Sequence, residues 1–253
     1  MNELSRPTSD VSTIAAAYET DGYFLPYDVT TEREAAALRA DFEAAEAELA
    51  DDRQKLSMLR GYSGRLLPSF DRLIRHPRLL AVANKLLGPD LLVWGSGLFI
   101  KEPNTKSFVS WHQDLNYWGL NTDQEVTAWF ALTPATVENG CMRFVPGSHL
   151  EPALRPHSPL HGDREKSHTL VAQVDDAVDN VRPVPIARGD ITVHNERVLH
   201  GSGGNSSAGW RRAYIVAFRS VDTIREERKR GFTHSHNDAP DVKTSVGVDG
   251  QTR

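Results

Sequence analysis

The tetrapeptide Trp111-His112-Gln113-Asp114 sets an imidazole and a carboxylate two positions apart inside a segment that reads as extended. In a strand, residues i and i+2 project to the same face, so both side chains can reach one metal ion. A third ligand then has to come from elsewhere. The best candidate is His200, in Val198-Leu199-His200-Gly201-Ser202-Gly203, which lies 86 positions after Asp114 at the end of another apolar run. Two histidines and one carboxylate on one face of a metal leave three adjacent coordination positions open, the arrangement of the non-haem iron(II) oxygenases. Alone, a His-x-Asp triplet is weak evidence, because a core histidine paired with an aspartate reads the same way.

The residues after His200 add to it. Arg211 follows eleven positions later, and a guanidinium is a planar fork that grips a carboxylate through two parallel hydrogen bonds. It has a physical task if the cosubstrate is 2-oxoglutarate, whose distal carboxylate it would hold while the 2-oxo acid end chelates iron. Ser202 could add a hydroxyl hydrogen bond to the same carboxylate. Arg212 competes for the role. Alternation along a strand sends neighbours to opposite faces, grouping Arg211 with Ala213, Ile215 and Ala217, and Arg212 with Tyr214, Val216 and Phe218. Both faces are apolar, so parity alone does not choose.

Other side chains support plainer readings. His194, six positions before His200, reads as a strand residue near the site and not as a ligand. Tyr117 and Trp118 follow the triplet closely enough to line a substrate pocket, although aromatic residues also serve simply as packing. Lys101 reads as a solvated lysine at a strand end, and Cys141 as a small core residue. His157, His161 and His168 follow no standard ligand spacing, so no second metal site is expected there.

The elements that must position these residues fall into two textures. Asp10 or Ser9 caps a helix carrying Val11, Ile14, Ala15 and Tyr18 at helical spacing, which Gly22 ends. Tyr23 to Pro26 reads as a short strand, and Thr30 to about Ala50, rich in Ala, Glu, Arg and Leu, as a long helix. Residues 51–65 lack a clear period and read as a loop of the kind that often covers active sites. A further helix over 77–87 is stopped by Gly88-Pro89. From residue 90 short apolar runs take over: Leu91 to Ile100, Ser107 to Asp114, Val126 to Thr133, Cys141 to Val145, Thr169 to Val174, Ile191 to His194 and Ala213 to Val221. Asn139-Gly140 suits a turn with positive φ. Residues 151–168 read as a surface insertion and 233–253 as a loose polar tail. The expected organisation is one domain over 1–253, mainly β with flanking helices: a helical layer (1–89) packed on a double-stranded β-helix core (90–222).

With 253 residues, 39% of them hydrophobic and 25% charged, the chain has the composition of a globular protein. Its net charge of −5 disfavours nucleic acid or an anionic membrane as the main partner. One cysteine excludes an intrachain disulfide and a zinc-type cysteine cluster. The polar stretch Met1 to Asp10 has no signal-peptide core and no apolar run reaches 18 residues, so a cytoplasmic protein is expected.

WHQDLNYWG, the run VTAWFALTPATVENGCMRFVPGSH, and VLHGSGGN with its trailing WRRA resemble the phytanoyl-CoA dioxygenase family of iron(II)/2-oxoglutarate oxygenases. Gly88-Pro89-Asp90 and the strand ending in Ile100-Lys101-Glu102-Pro103 fit it too, so the likeness covers nearly the whole chain. It implies a cupin-like double-stranded β-helix (jelly roll), with His112, Asp114 and His200 as iron ligands. It implies Arg211, by its distance from the ligand histidine, as the 2-oxoglutarate arginine, and places Ser202, Gln113 and Trp129 near the cosubstrate. His149 matches a structural turn of the family.

Fe(II), 2-oxoglutarate and O2 are the implied cofactor and cosubstrates, with ascorbate supportive in vitro. The expected reaction is hydroxylation of an unactivated C–H bond of a small molecule, with secondary metabolites among the candidates. Cyclisation, epimerisation or desaturation would use the same cofactor chemistry, whereas a cupin-like protein that binds metal or ligand without turnover is an alternative of a different class. Related halogenases lack the metal carboxylate, so the retained Asp114 disfavours halogenation.

Overall fold

The computed structural model describes residues 10–118, 125–160, 170–231 and 245–246. Helices come first. α1 (Val11–Asp21) is capped by the Asp10 carboxylate and closed by Gly22 at φ 80°, and β1 (Tyr23–Asp28) follows. α2 (Glu32–Glu48) opens with a reciprocal cap, in which Thr31 accepts from the Glu34 N–H and Glu34 from the Thr31 N–H. α3 (Arg53–Leu66), α4 (Pro68–Ile74) and α5 (Pro77–Leu87) complete the layer.

The expectation of a loop over 51–65 is therefore corrected: this stretch is mostly α3. Asp52 caps it by accepting from the Lys55 N–H, and the helix kinks at Tyr62 (φ −134°). Its period was blurred by Gly61, Ser63 and Gly64. At Gly64 a side chain would collide with the Tyr214 hydroxyl and Ile74, so tertiary packing, which local pattern does not report, selects the residue.

The strands are β2 (Leu91–Lys101), β3 (Val109–His112), β4 (Glu125–Ala131), β5 (Met142–Phe144), β6 (His157–Pro159), β7 (Leu170–Ala172), β8 (Arg182–Val184), β9 (Asp190–Asn195), β10 (His200–Ser202), β11 (Arg211–Ser220) and β12 (Ser245–Val246). The short helix α6 (Leu115–Trp118) follows β3, and α7 (Val221–Lys229) follows β11. Six strands form one antiparallel sheet in the order β1-β9-β4-β11-β2-β12, and four form a second in the order β3-β10-β5-β8. β6, within the expected insertion, pairs with β7, which falls in the expected strand Thr169 to Val174, as a separate ribbon. Two antiparallel sheets in this order are those of a double-stranded β-helix.

Every residue of β4 is buried, because the large sheet is covered on both faces. Val126, Ala128, Phe130, Tyr214, Val216 and Phe218 pack against Phe42, Phe70, Leu79 and Leu80 of the helices. Trp129, Ala131 and Ala213 point the other way, meeting Met142, Phe144 and Val184 of the small sheet. Of the tail, Ser245–Val246 pairs with Leu91 and Leu92, and the rest of 233–253 lies outside the described residues. No helix among the described residues is long and apolar enough to cross a membrane.

The Asn139-Gly140 turn behaves as its letters suggest, with Gly140 at φ 79°. A Cβ there would lie 2.5 Å from the Gly203 carbonyl oxygen and 2.8 Å from that of Gly204, just beyond β10. Gly140→Ala should therefore cost about 2 kcal/mol or more, combining left-handed strain with a backbone clash. Urea unfolding measures this, and an unchanged midpoint would contradict it.

Candidate metal centre

β3 and β10 run antiparallel, and their register makes His112 and His200 direct cross-strand partners, with ring centroids 4.1 Å apart. Asp114 is not in the strand. β3 ends at His112, and Asp114 occupies the turn into α6, which Leu115 N–H fastens by donating to the Glu196 carbonyl (2.9 Å). That turn, and not strand alternation, brings Asp114 Oδ1 to 3.2 Å from His112 Nε2 and 3.6 Å from His200 Nε2. One ligand atom from each residue lies within 4.8 Å of the others, and no other metal-capable cluster occurs among the described residues.

The imidazoles are locked in one orientation. His112 Nδ1 lies 2.7 Å from the Ser110 carbonyl and His200 Nδ1 3.0 Å from that of Val198. A carbonyl only accepts, so each Nδ1 carries the proton and each Nε2 keeps its lone pair for a metal. Burial, reinforced by His112, holds His200 well below the usual histidine range and hence neutral. Burial works to raise the Asp114 carboxyl, but the surrounding His200, His112 and His194 outweigh it and hold the group well below its ordinary value. A neutral imidazole at His200 beside an ionised carboxylate is what a divalent cation requires. His194 of β9 stays a neighbour of the cluster, with Nε2 3.5 Å from Asp114 Oδ2, and Thr127 Oγ1 lies 3.4 Å from the same oxygen.

The cluster borders a pocket of about 270 Å³ that also includes Trp129, Ser202 and Arg211. Arg211 is 2% exposed, with its guanidinium 5.3 Å from the Trp129 ring centroid. It donates once, from Nη1 to the Phe99 carbonyl (3.2 Å), and among the described residues no carboxylate pairs with it. Burial lowers it to about 10, so it remains a cation at neutral pH. The buried Ser202 hydroxyl likewise has no partner among the described residues. Arg212 faces the other way, paired with Glu43 (3.1 Å) and Glu46 (2.8 Å) of α2. Of the two, Arg211 is the one whose side chain faces the pocket.

Three expectations change. Gln113 does not line the pocket: its side chain donates to the Arg197 carbonyl (2.6 Å) and accepts from the Arg155 N–H (2.8 Å), while its own N–H donates to His157 Nε2 (3.1 Å). It braces the turn between two ligand positions, because a polar side chain in a buried turn bonds to whatever backbone is nearest. Lys101 is buried at 4% exposure, donating to the carbonyls of Ser107 and Gly203 beside Arg211 and Arg143. Asp114, as noted, stands outside β3.

Tyr117 lines the pocket, edge-on to His112 at 5.8 Å, whereas the side chain of Trp118 and all of His161 and His168 lie outside the described residues. His149 ties its turn to the Glu19 carbonyl of α1, and Cys141 is a buried core residue. Sequence reasoning missed Thr127, Trp94 and Phe99, ordinary strand residues whose inward placement depends on register.

The profile of the phytanoyl-CoA dioxygenase (PhyH) family matches residues 18–213. The chain belongs to this family. A probable phytanoyl-CoA dioxygenase of Caenorhabditis elegans is 26% identical over 202 residues, covering 76% of this chain and 64% of that protein, so the chain spans under two thirds of this relative. Among solved structures, the apo form of the non-heme monooxygenase ThoJ is 30% identical with a TM-score of 0.71, covering 82% of this chain and 77% of the other. The epimerase SnoN, solved with Fe3+, alpha-ketoglutarate and nogalamycin RO, is 26% identical with a TM-score of 0.65 and coverage of 83% and 84%. The donor set here fits the iron of this family, and the unpaired guanidinium with its neighbouring hydroxyl fits a carboxylate cosubstrate.

Burial depresses Lys101 to about 7, with Arg211 and Arg143 contributing. An unfolded lysine keeps its proton to about pH 10.4, so between pH 7 and 10 the unfolded chain binds more protons and stability from this group rises with pH. Lys101→Met should flatten that rise, by up to roughly 1 kcal/mol per pH unit. Denaturant unfolding of both proteins at pH 7 and 9 checks it, and parallel changes would contradict the buried-cation account.

Proposed function

We propose that the chain is an iron(II)- and 2-oxoglutarate-dependent dioxygenase that hydroxylates an unactivated C–H bond of a small molecule, with His112, Asp114 and His200 as the metal ligands. The observation carrying this reading is the juxtaposition, in one pocket, of the histidine–aspartate cluster with Arg211, a buried cation with which no carboxylate pairs among the described residues. An unpaired guanidinium in a dry site is costly unless an anion completes it.

Iron(II) and 2-oxoglutarate held by these residues would supply, with O2, oxidative decarboxylation to succinate and CO2 coupled to conversion of a substrate C–H bond to C–OH, one oxygen atom entering succinate and the other the product. The protein's part is placement. His112 and His200 present Nε2 lone pairs fixed by their Nδ1 hydrogen bonds, and His194 and Thr127 orient the free oxygen of Asp114. Arg211 and Ser202 hold the far carboxylate of the cosubstrate, and the Trp129 ring beneath the guanidinium keeps water from it. The likeness to SnoN supports a second outcome from the same residues, epimerisation, in which one hydrogen is removed and another is delivered to the opposite face, with an external reductant such as ascorbate supplying the two electrons that the substrate does not give up. A small-molecule substrate of natural-product type accords with that neighbour and with a net charge of −5, which does not favour nucleic acid or an anionic membrane.

Succinate release from 2-oxoglutarate, with Fe(II) and ascorbate present, tests the class. His112→Ala, Asp114→Ala and His200→Ala should each abolish turnover and weaken Fe(II) binding in equilibrium dialysis. Full activity of Asp114→Ala without added carboxylate would remove the ligand assignment.

Arg211→Met should raise the KM for 2-oxoglutarate about 10- to 100-fold, the worth of a lost charge-assisted pair, while the metal stays bound. Equal activity of this variant and wild type at limiting 2-oxoglutarate would remove the cosubstrate assignment.

A further inference from the structure

We infer that the cavity between α3 and β2 is the substrate seat, and that it takes a drug-sized molecule with a flat, largely apolar body and an anionic group. This rests on the oxygenase reading above. The cavity measures about 480 Å³ and adjoins the metal pocket, with Trp94, Phe99, Ile215 and Ala217 belonging to both. At about 270 Å³ the metal pocket has to hold the metal and a five-carbon diacid, and the remaining space is small for a second, drug-sized molecule without the adjoining cavity. A space of roughly 300–1000 Å³ is typical for a drug-sized ligand and oversized for a free amino acid.

Two glycines mark the cavity as built for an occupant. Glycine inside a strand or helix costs about 0.5–1 kcal/mol relative to alanine and needs a reason. Gly97 of β2 has one, since α3 passes so close that a Cβ would lie 3.2 Å from the Arg60 carbonyl oxygen. Gly95, two residues earlier, has none within the protein: no described atom lies within 4 Å of where its Cβ would stand. The same is true of Gly61, which lines the cavity from α3. Neither has a positive φ, so backbone conformation does not require glycine either. Gly95 is half-buried and leaves open space within the cavity, whereas Gly61 is exposed and leaves its mouth open.

The lining indicates the chemistry of the molecule. Trp94, at the boundary with the metal pocket, has Arg219 4.2 Å from its ring centroid, and Arg219 is itself clamped between Glu125 (2.6 Å) and Glu227. The indole is thus held as a fixed flat surface, with Phe99 and Tyr62 adding aromatic area. Arg60, Arg65 and Arg75 also line the cavity; Arg75 Nε is held by the lining carboxylate of Asp71 (3.0 and 3.1 Å) and Arg65 lies 6.0 Å from the Tyr62 ring centroid, so Arg60 is the cation placed to meet an anion. Arg60 gives Nε and Nη2 to Glu46, which anchors the guanidinium and leaves its Nη1 for another acceptor. A planar ring system beside Trp94 and an anionic group at Arg60 satisfy both features.

Anthraquinone-2-carboxylate is a suitable probe, and quenching of tryptophan fluorescence reports its binding. It should bind wild type more tightly than its neutral counterpart 2-(hydroxymethyl)anthraquinone, and an excess of L-proline should not displace it. Gly95→Leu and Gly61→Leu place side chains where the protein has room for them, and each should weaken probe binding about tenfold or more once its unfolding midpoint confirms a folded chain. Absence of probe binding to wild type, equal binding by both folded variants, displacement by L-proline, or indifference to the probe's charge would each overturn the proposal. 2-Oxoglutarate binding to the iron-loaded wild type is measured separately by equilibrium dialysis. Its absence would strike the cosubstrate assignment and leave the probe result standing.

Discussion

The antiparallel hydrogen-bonded pairing of β3 with β10 is the interaction on which the site depends. It sets His112 opposite His200, and the strands' own carbonyls, from Ser110 and Val198, fix both rings. The scaffold is therefore also the orienting shell, and no further side chain is needed to choose the tautomer. Strands of three and four residues are marginal alone, so the pairing is secured from its other side. β10 lies between β3 and β5, with His200 also opposite Phe144, and the Phe144 ring stacks on Tyr23 at 4.4 Å. The ligand histidine is held by a strand that cannot slip without breaking two ladders.

The large sheet links this small sheet to the helices. β11 carries the connection in two adjacent residues: Arg211 faces the interior beside Trp129, and Arg212 faces outward to Glu43 and Glu46 of α2. One arginine is matched by carboxylates within the protein and its neighbour is not, although both belong to the same strand. The difference in pairing, and not in burial, separates a structural cation from one suited to a ligand, since the two are 5% and 2% exposed.

Much of this was legible in the letters wherever local pattern and global packing agree. Asp10 and Gly22 mark the ends of α1 by chemistry that acts within four residues, and the structure uses them so. The chain of small, apolar strands after residue 90 carries its turn signals with it, as at Gly140. The ligand residues were visible because a metal restricts residue types so narrowly. What was hidden depended on distant partners. Lys101 reads as a surface residue until the carbonyls of Ser107 and Gly203 close over it, and α3 reads as a loop in part because Gly64 answers to Tyr214, Ile74 and Ser96 of β2. The two faces of β11 are both apolar, so alternation was present and uninformative; only the helical layer on one side distinguishes them.

Asp114 stands beyond the last residue of β3, on a turn fastened through Leu115 and Gln113. Its side chain takes no part in either ladder, so the sole anion among the three ligands is separable from the architecture that surrounds it. A replacement at this position would therefore change the donor set offered to a cation without removing a hydrogen bond of either sheet.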